Sequence, residues 1–280
     1  MFDDLQGVRS VRAELGKAVR RPALWLLPAV GVTLSVTFAY LIPYAGYAGG
    51  TEGPPNSDRG LAAMLPAEFV GSAIAGTPVF VGALALILGV LVVGGEYQTE
   101  TWKTLLSQGP GRRTVYGAKV VTVAAGVLAL TLALFAAAAL ASVVVAALQG
   151  QPMMWPPLSE IAAGLGAGWL ITMMWAASGI MLAVVLRGVA LPIGLGLVWL
   201  LAVQNLISAI AAPLVDWIAD LQHALPGPNA GSLVASLGAA TTTPGVTALV
   251  DGGQATLVTA GYLVVFLAVG GWLLSSRDMG

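Results

Sequence analysis

The sequence predicts an all-α polytopic membrane protein with six transmembrane helices, an N-terminal interfacial elbow helix and short extracytoplasmic helices before the last span. Three observations predict this fold: little charge, long apolar stretches and a one-sided distribution of basic residues. Only 9% of the 280 residues are charged, 58% are hydrophobic, and the mean hydropathy is +0.88. Soluble domains carry about 25% charged residues. Lipid must therefore cover much of the surface of this chain.

Six apolar stretches are long enough to cross a bilayer, since a membrane helix needs about 20 mainly apolar residues. Without their polar ends, the predicted spans are 23–42, 73–94, 119–148, 161–186, 189–212 and 254–275. Another uncharged stretch lies between Asp220 and Asp251, but its prolines and glycines at 226–228 and Pro244 are typical of turns. We therefore predict six spans in a membrane domain that covers 23–280.

The basic residues orient these spans, because cytoplasmic loops of membrane proteins are enriched in lysine and arginine. All but one of the 12 basic residues fall on the side of the N-terminus, and Arg59 alone falls on the other side. The cytoplasmic set is Arg9, Arg12, Lys17, Arg20, Arg21, Lys103, Arg112, Arg113, Lys119, Arg187 and Arg277. With a composition typical of high-GC bacteria, this predicts a multi-pass protein of the bacterial cytoplasmic (inner) membrane with both termini cytoplasmic.

Residues 1–22 are predicted to form an amphipathic helix on the cytoplasmic surface of the membrane. Apolar side chains recur with charged residues between them, and helical spacing places much of this apolar set on one face. Pro22 suits the first turn of the span that follows. The alternative is a solvated basic tail that only sets orientation. The apolar set is Phe2, Leu5, Val8, Leu15 and Val19.

The loop between spans two and three predicts a compact cytoplasmic hairpin at 95–118. Residues 96–107 can form a short helix, in which Glu100 and Lys103 are spaced to pair. The Gly-Pro-Gly run at 109–111 ends that helix and turns the chain. A loop that served only to orient the spans in the membrane would need its basic residues, but not the sequence at 96–106 that precedes Arg112 and Arg113. The apolar side of the helix is Trp102, Leu105 and Leu106, and the basic residues beyond the turn are Arg112, Arg113 and Lys119.

The loop at 213–253 predicts an amphipathic helix directly after span five. After a break at 226–228, residues 233–237 predict a second short helix. The segment is either an ordinary surface loop or one that re-enters the outer leaflet, packed against protein. The apolar stripe is Leu214, Trp217, Ile218, Leu221 and Leu225, and the polar face carries Asp216, Asp220 and His223.

The residue content excludes several chemistries. The chain has no cysteine and one histidine, His223, so neither a thiolate metal site nor a histidine-assisted serine nucleophile in the spans is expected. It also lacks the Gly-x-x-x-x-Gly-Lys-[Ser/Thr] phosphate-binding loop. We predict no catalytic residue, no metal ligand and no cofactor in this chain, which is not expected to be an enzyme.

Two adjacent amides, Gln204 and Asn205, are the most notable polar residues within the spans. Buried amides in lipid need a partner, so this pair either lines a transport path or bonds to a neighbouring helix. A secondary transporter is an alternative function, but such carriers usually have ionisable residues inside the spans, and none is evident here. A non-transporting anchor or assembly subunit of another complex is a further alternative.

The chain resembles, over its whole length, the permease subunits of type-2 ATP-binding-cassette (ABC) exporters. Those have an elbow helix, six spans, a coupling helix between spans two and three, and short helices before span six. Their coupling region reads Glu, Gly-Thr, a Leu pair, Pro, Arg, and a Lys opening span three. The sequence departs from that pattern at Glu100, where the family often has glycine. The matching residues are Glu96, Thr101, Leu105, Leu106, Pro110, Arg112 or Arg113, and Lys119.

The resemblance implies a permease that forms half of a translocation pathway and is coupled to a separate ATPase subunit, which holds ATP and Mg. It also implies a second permease copy, as a homodimer or a heterodimer, within membrane lipid; no nucleic-acid partner is expected. The substrate is not indicated, and export over import rests on the resemblance alone. The implied ATPase-coupling residues are Glu96, Glu100, Thr101, Trp102, Lys103, Leu105, Leu106, Arg112, Arg113 and Lys119.

Overall fold

The computed structural model of the chain describes residues 2–49, 59–98, 111–211 and 214–276. Every regular element among these residues is a helix, which confirms the all-α fold class. Most of the predicted coupling segment, from Glu100 to Leu106, lies outside the described residues.

The helices follow the predicted order. Five of the described helices are long and apolar enough to cross a membrane. The sixth crossing, span five, is helical throughout 190–211, which is about 30 Å and matches a bilayer core. The elbow helix is Phe2–Arg20; spans one to four are Pro22–Gly49, Phe80–Gln98, Arg112–Leu148 and Leu158–Leu186; span five begins with Ala190–Leu206; span six is Gly252–Ser276.

Two spans contain π turns, in which the helix widens by one residue per turn. Span one has such a turn at Thr37–Leu41. Span five has two, at Val198–Val203 and Ile207–Ala211, on either side of the short helix Gln204–Leu206. The amide pair at the centre of span five therefore lies between two irregular turns.

The stretch before span two is broken, where the sequence predicts a continuous helix from residue 73. A short helix, Phe69–Ile74, ends in a turn at 75–79, and span two starts at Phe80. Pro78 explains the break, because proline has no backbone N–H and disfavours the helical conformation of the residue before it. The Thr77 hydroxyl donates to the Ile74 carbonyl at 2.6 Å and closes the turn.

Spans two and four form the buried centre of the bundle, with spans one and six at its periphery. Glycines allow the two central helices to approach closely. A Cβ atom on Gly89 would overlap the Ala176 carbonyl oxygen, and one on Gly179 would overlap the Leu86 carbonyl oxygen. The backbones are therefore in direct contact, as in other membrane helix pairs built on small residues.

The segment between spans five and six contains two short helices, as predicted, at Asp216–Gln222 and Pro226–Ala235. The predicted break at 226–228 is wrong, because these prolines open the second helix. Proline is favoured at the first helical positions, where its missing N–H has no partner to lose. This helix is almost entirely buried, whereas Trp217 of the first helix is 67% exposed.

The two ends of the bundle differ in charge. One end, here called the basic end, holds the elbow helix and the chain near Arg21, Arg113 and Arg187. At this end, Gly94 of span two packs against the carbonyl of Gly188, which lies between spans four and five. The opposite, acidic end carries Glu68, Glu160, Asp220 and Asp251. There the Gln149 amide donates to the Tyr44 hydroxyl at 2.9 Å and joins spans three and one.

Candidate functional site

A buried ionic cluster lies at the basic end and is centred on Lys119. The Lys119 ammonium is 3.1 Å from the Glu14 carboxylate of the elbow helix and 3.1 Å from the Glu96 carboxylate of span two. It also donates to the Val92 carbonyl at 3.2 Å. An ammonium has three donors, and these three acceptors satisfy all of them. The ammonium is thus fully hydrogen-bonded although the Lys119 side chain is fully buried.

Two further cations surround the same carboxylates. The Lys17 ammonium lies 2.9 Å from Glu14 and 3.5 Å from Glu96. The Arg21 guanidinium is 3.9 Å from Glu96 and donates to the Leu91 carbonyl at 3.4 Å. We call these five residues, Glu14, Lys17, Arg21, Glu96 and Lys119, the elbow cluster.

The carboxylates of the elbow cluster keep the Lys17 ammonium protonated. Burial lowers the pKa of Lys17, but its hydrogen bond to Glu14 and the charges of Glu14 and Glu96 outweigh burial and raise that pKa above its ordinary value. A raised lysine pKa means that the stability Lys17 contributes through these contacts is lost as the pH rises through that pKa. At neutral pH Lys17 is therefore charged and paired with the cluster's carboxylates.

The elbow cluster ties three elements together at the basic end. Glu96 lies near the end of span two and Lys119 near the start of span three, so the pair joins these two helices. Glu14 attaches the elbow helix to the same ammonium. Breaking a buried ion pair by removing one partner costs about 3–5 kcal/mol, so separating these three elements at the elbow cluster is energetically unfavourable.

The structure places the described members of the predicted coupling set in two different environments. Glu96 and Lys119 are buried in the elbow cluster. Arg113 is exposed, and Arg112 donates to the Ser275 carbonyl of span six at 3.4 Å. The positions outside the described residues are Glu100, Thr101, Trp102, Lys103, Leu105 and Leu106.

The sequence-based predictions assign no site role to Glu14 or Lys17, although the spacing of charged residues in the elbow helix indicates one. Glu14, Lys17 and Arg21 are spaced three and four residues apart, which places alternating charges on one face of a helix. The predicted apolar face of the elbow helix does not pack against the bundle, because Val8 and Val19 on that face are 67% and 60% exposed. The elbow helix therefore turns Glu14 and Lys17 toward the bundle and leaves Val8 and Val19 exposed.

The amide pair of span five is also divided between two environments. Gln204 is 3% exposed, and its side-chain oxygen accepts a hydrogen bond from the Gly227 backbone N–H at 2.7 Å. It thereby satisfies an orphan N–H at the start of the helix Pro226–Ala235. Asn205 is exposed and donates to the Leu201 carbonyl of its own helix at 2.9 Å. Of the two, Gln204 joins span five to the buried loop helix.

Replacing Gln204 with leucine is expected to destabilise the protein by about 1–3 kcal/mol, since the Gly227 N–H then remains buried without an acceptor. Asn205→Leu is the matched control, because it changes the same residue type to leucine one position away on an exposed face. Thermal unfolding of both variants in detergent measures the difference. Equal unfolding midpoints for the two variants would show that the bond from Gly227 contributes no stability.

Comparison with known protein families relates this architecture to function. Residues 9–279 match the model of the ABC-2 family transporter protein. The chain belongs to the ABC-2 transporter family. The match includes the whole elbow cluster and every span, and it confirms the resemblance drawn from the coupling region. Comparison with individual curated proteins finds no match.

Membership in the ABC-2 family makes the chain the membrane-embedded permease component of an ABC transporter. The ATPase of such a transporter is a different component, with which the permease associates. The apolar helices agree with a multi-pass membrane protein.

Proposed function

We propose that this ABC-2 permease is one half of an ATP-driven exporter in the bacterial cytoplasmic membrane, coupled to a separate ATPase through the hairpin at 95–118. The observation that carries the proposal is the elbow cluster, which ties both arms of that hairpin to the elbow helix. ATP and Mg bind to the partner ATPase in this scheme. The hairpin supplies the contact, and the two helices beneath it receive the motion.

The buried position of Glu96 and Lys119 favours a division of roles within the coupling set. Residues of the hairpin tip and the exposed Arg113 contact the ATPase, whereas Glu96 and Lys119 hold the arms of the hairpin in register. Force applied at the tip passes along spans two and three, because both are regular helices from Phe80 to Gln98 and from Arg112 to Leu148.

The charge asymmetry of the bundle supports the proposed orientation. The elbow helix, the hairpin arms and Arg187 share the basic end, and the positive-inside rule assigns such an end to the cytoplasm. The ATPase has access to ATP only on that side. The loop helices before span six then face the exterior.

Span five supports the proposed pairing of two permease copies, as a homodimer or a heterodimer. Asn205 is exposed on this span even though amides are costly against lipid. Its neighbours Leu201 and Leu206 are also exposed, at 42% and 58%. A second copy that covers this face would remove the amide from lipid.

The contact with the ATPase is tested by replacing both Leu105 and Leu106 with aspartate. Two charges in the apolar part of the hairpin are expected to reduce recovery of the ATPase with the tagged permease at least tenfold, because burying unpaired carboxylates is strongly unfavourable. The control replaces the exposed Leu158 and Leu214 at the acidic end with aspartate. Unchanged recovery of the ATPase with the hairpin variant would refute the coupling assignment.

A further inference from the structure

An amphipathic cavity of about 270 Å³ lies between spans one and two, away from the elbow cluster. Its wall is mostly apolar, with Leu34 and Phe38 from span one and Phe80 and Leu84 from span two. At the acidic end the lining changes to polar groups, Arg59, Ser72 and Thr243. The cavity therefore has one apolar part and one polar, cationic part.

The long axis of the cavity follows the bundle from the acidic end inward. Gly31 and Ala39 of span one both line it, and the eight helical steps from one to the other correspond to about 12 Å. Leu84 packs closely against Gly31, since a Cβ atom on this glycine would lie 3.2 Å from the Leu84 side chain. The apolar part thus extends into the region that lipid chains occupy in a membrane.

Arg59 supplies the positive charge at the polar part. It is the one basic residue that the topology assigns to the outer side of the membrane. It forms no hydrogen bond or ion pair with another residue in the described parts of the chain, although it is partly buried. Burial lowers the pKa of the Arg59 guanidinium, and an arginine remains charged under such conditions. An anion at this position would stabilise that charge.

A second unpartnered group lines the same part of the cavity. The Thr243 hydroxyl oxygen is buried and has no hydrogen-bond partner among the described residues. Thr243 and Arg59 come from loops far apart in the sequence, yet both line this one cavity. Together they offer a fixed charge and a neutral donor, the combination that recognises phosphate oxygens.

We propose that this cavity binds an anionic membrane lipid, with one acyl chain between spans one and two and its phosphate at Arg59 and Thr243. An acyl chain fits the apolar lining, and the anionic headgroup fits the lone cation at the outer end. The site rests on the cavity and its charge, and it does not depend on the proposed coupling to an ATPase. Neither a free anion nor an uncharged chain would use both parts of the cavity.

The absence of cysteine from the chain allows a site-specific test. Ser35 lines the cavity, whereas Thr33 is exposed on the same helix and does not line it. The full chain carrying Ser35→Cys is purified in neutral detergent, and its rate of modification by a membrane-permeant thiol reagent is measured. The added probes are phosphatidylglycerol, phosphatidylcholine with the same acyl chains, and inorganic phosphate. The matched control is the chain carrying Thr33→Cys.

Phosphatidylglycerol is expected to slow modification of the Ser35→Cys chain about tenfold more than phosphatidylcholine does, as one charge-assisted contact implies. Adding Arg59→Gln should remove that difference, whereas adding Arg9→Gln, at an exposed arginine of the elbow helix, should leave it unchanged. The Thr33→Cys chain should show no lipid-dependent protection.

Three results would overturn the proposal. Equal protection by the two lipids would remove the role of the charge. Protection that survives Arg59→Gln would place the headgroup elsewhere. Protection by inorganic phosphate alone, at the level given by the lipid, would show an anion site that needs no acyl chain. Elution of each variant as a single species in size-exclusion chromatography separates these results from misfolding.

Discussion

Replacing Lys119 with methionine is expected to lower the thermal unfolding midpoint of the purified chain by about 10 °C, the largest effect of any single change at the basic end. The substitution removes the fully buried ammonium that bridges the Glu14 and Glu96 carboxylates, and leaves them only Lys17 and Arg21, whose side chains are 40% exposed, as counter-ions within the elbow cluster. Breaking a buried ion pair in this way costs about 3–5 kcal/mol. Tryptophan fluorescence during heating in detergent follows the loss of structure.

Two further variants decide whether charge is the cause. Arg113→Met removes an exposed cation from the same helix and is expected to unfold close to the unaltered protein. Combining Lys119→Met with Glu14→Gln and Glu96→Gln also removes the two buried carboxylates and should restore most of the lost stability. If Lys119→Met unfolds at the same temperature as Arg113→Met, the elbow cluster is not a structural element.

Adding a methyl group at Gly89 or Gly179 is expected to destabilise the bundle by about 3 kcal/mol, at the upper end of the effect of overpacking. The new atom would overlap a backbone carbonyl of the opposite helix, which cannot rotate away as a side chain can. Spans two and four would have to separate along their length. Recovery of folded protein after size-exclusion chromatography, and its unfolding midpoint, measure the effect of Gly89→Ala and Gly179→Ala.

Gly166→Ala is the matched control on span four, because no atom outside its own helix lies within 4 Å of the added position. In a helix, alanine is favoured over glycine by about 1 kcal/mol, so this variant should be as stable as the unaltered chain or more so. Equal losses in Gly166→Ala and Gly179→Ala would mean that the close approach of spans two and four is not what the glycines provide.

The sequence predicts the fold class well because lipid imposes simple rules on composition. The apolar stretches give six crossings, and the bias in basic residues marks the end that carries the elbow helix. The sequence predicts helix boundaries at prolines less well. Pro78 interrupts the apolar run before span two, and Pro226 opens a helix where a break was expected. A proline ends one helix or begins another, and its neighbours alone do not distinguish the two cases.

The elbow cluster shows why a site is harder to predict than a span. Glu96 and Lys119 were selected as coupling residues from their order in the chain, and the structure places both of them beside Glu14, which is 105 positions from Lys119. No periodicity links residues so far apart. Only the packing of the elbow helix against spans two and three brings them together, and a hydropathy pattern does not contain that information.

The most direct test of the central claim is purification of the tagged, unaltered chain from its native host in mild detergent, followed by identification of what is recovered with it. We expect an ABC ATPase subunit, together with a second permease of this family or a second copy of this chain. Recovery of the chain alone, or with an enzyme that does not bind nucleotides, would contradict the proposal that its hairpin couples ATP hydrolysis to transport.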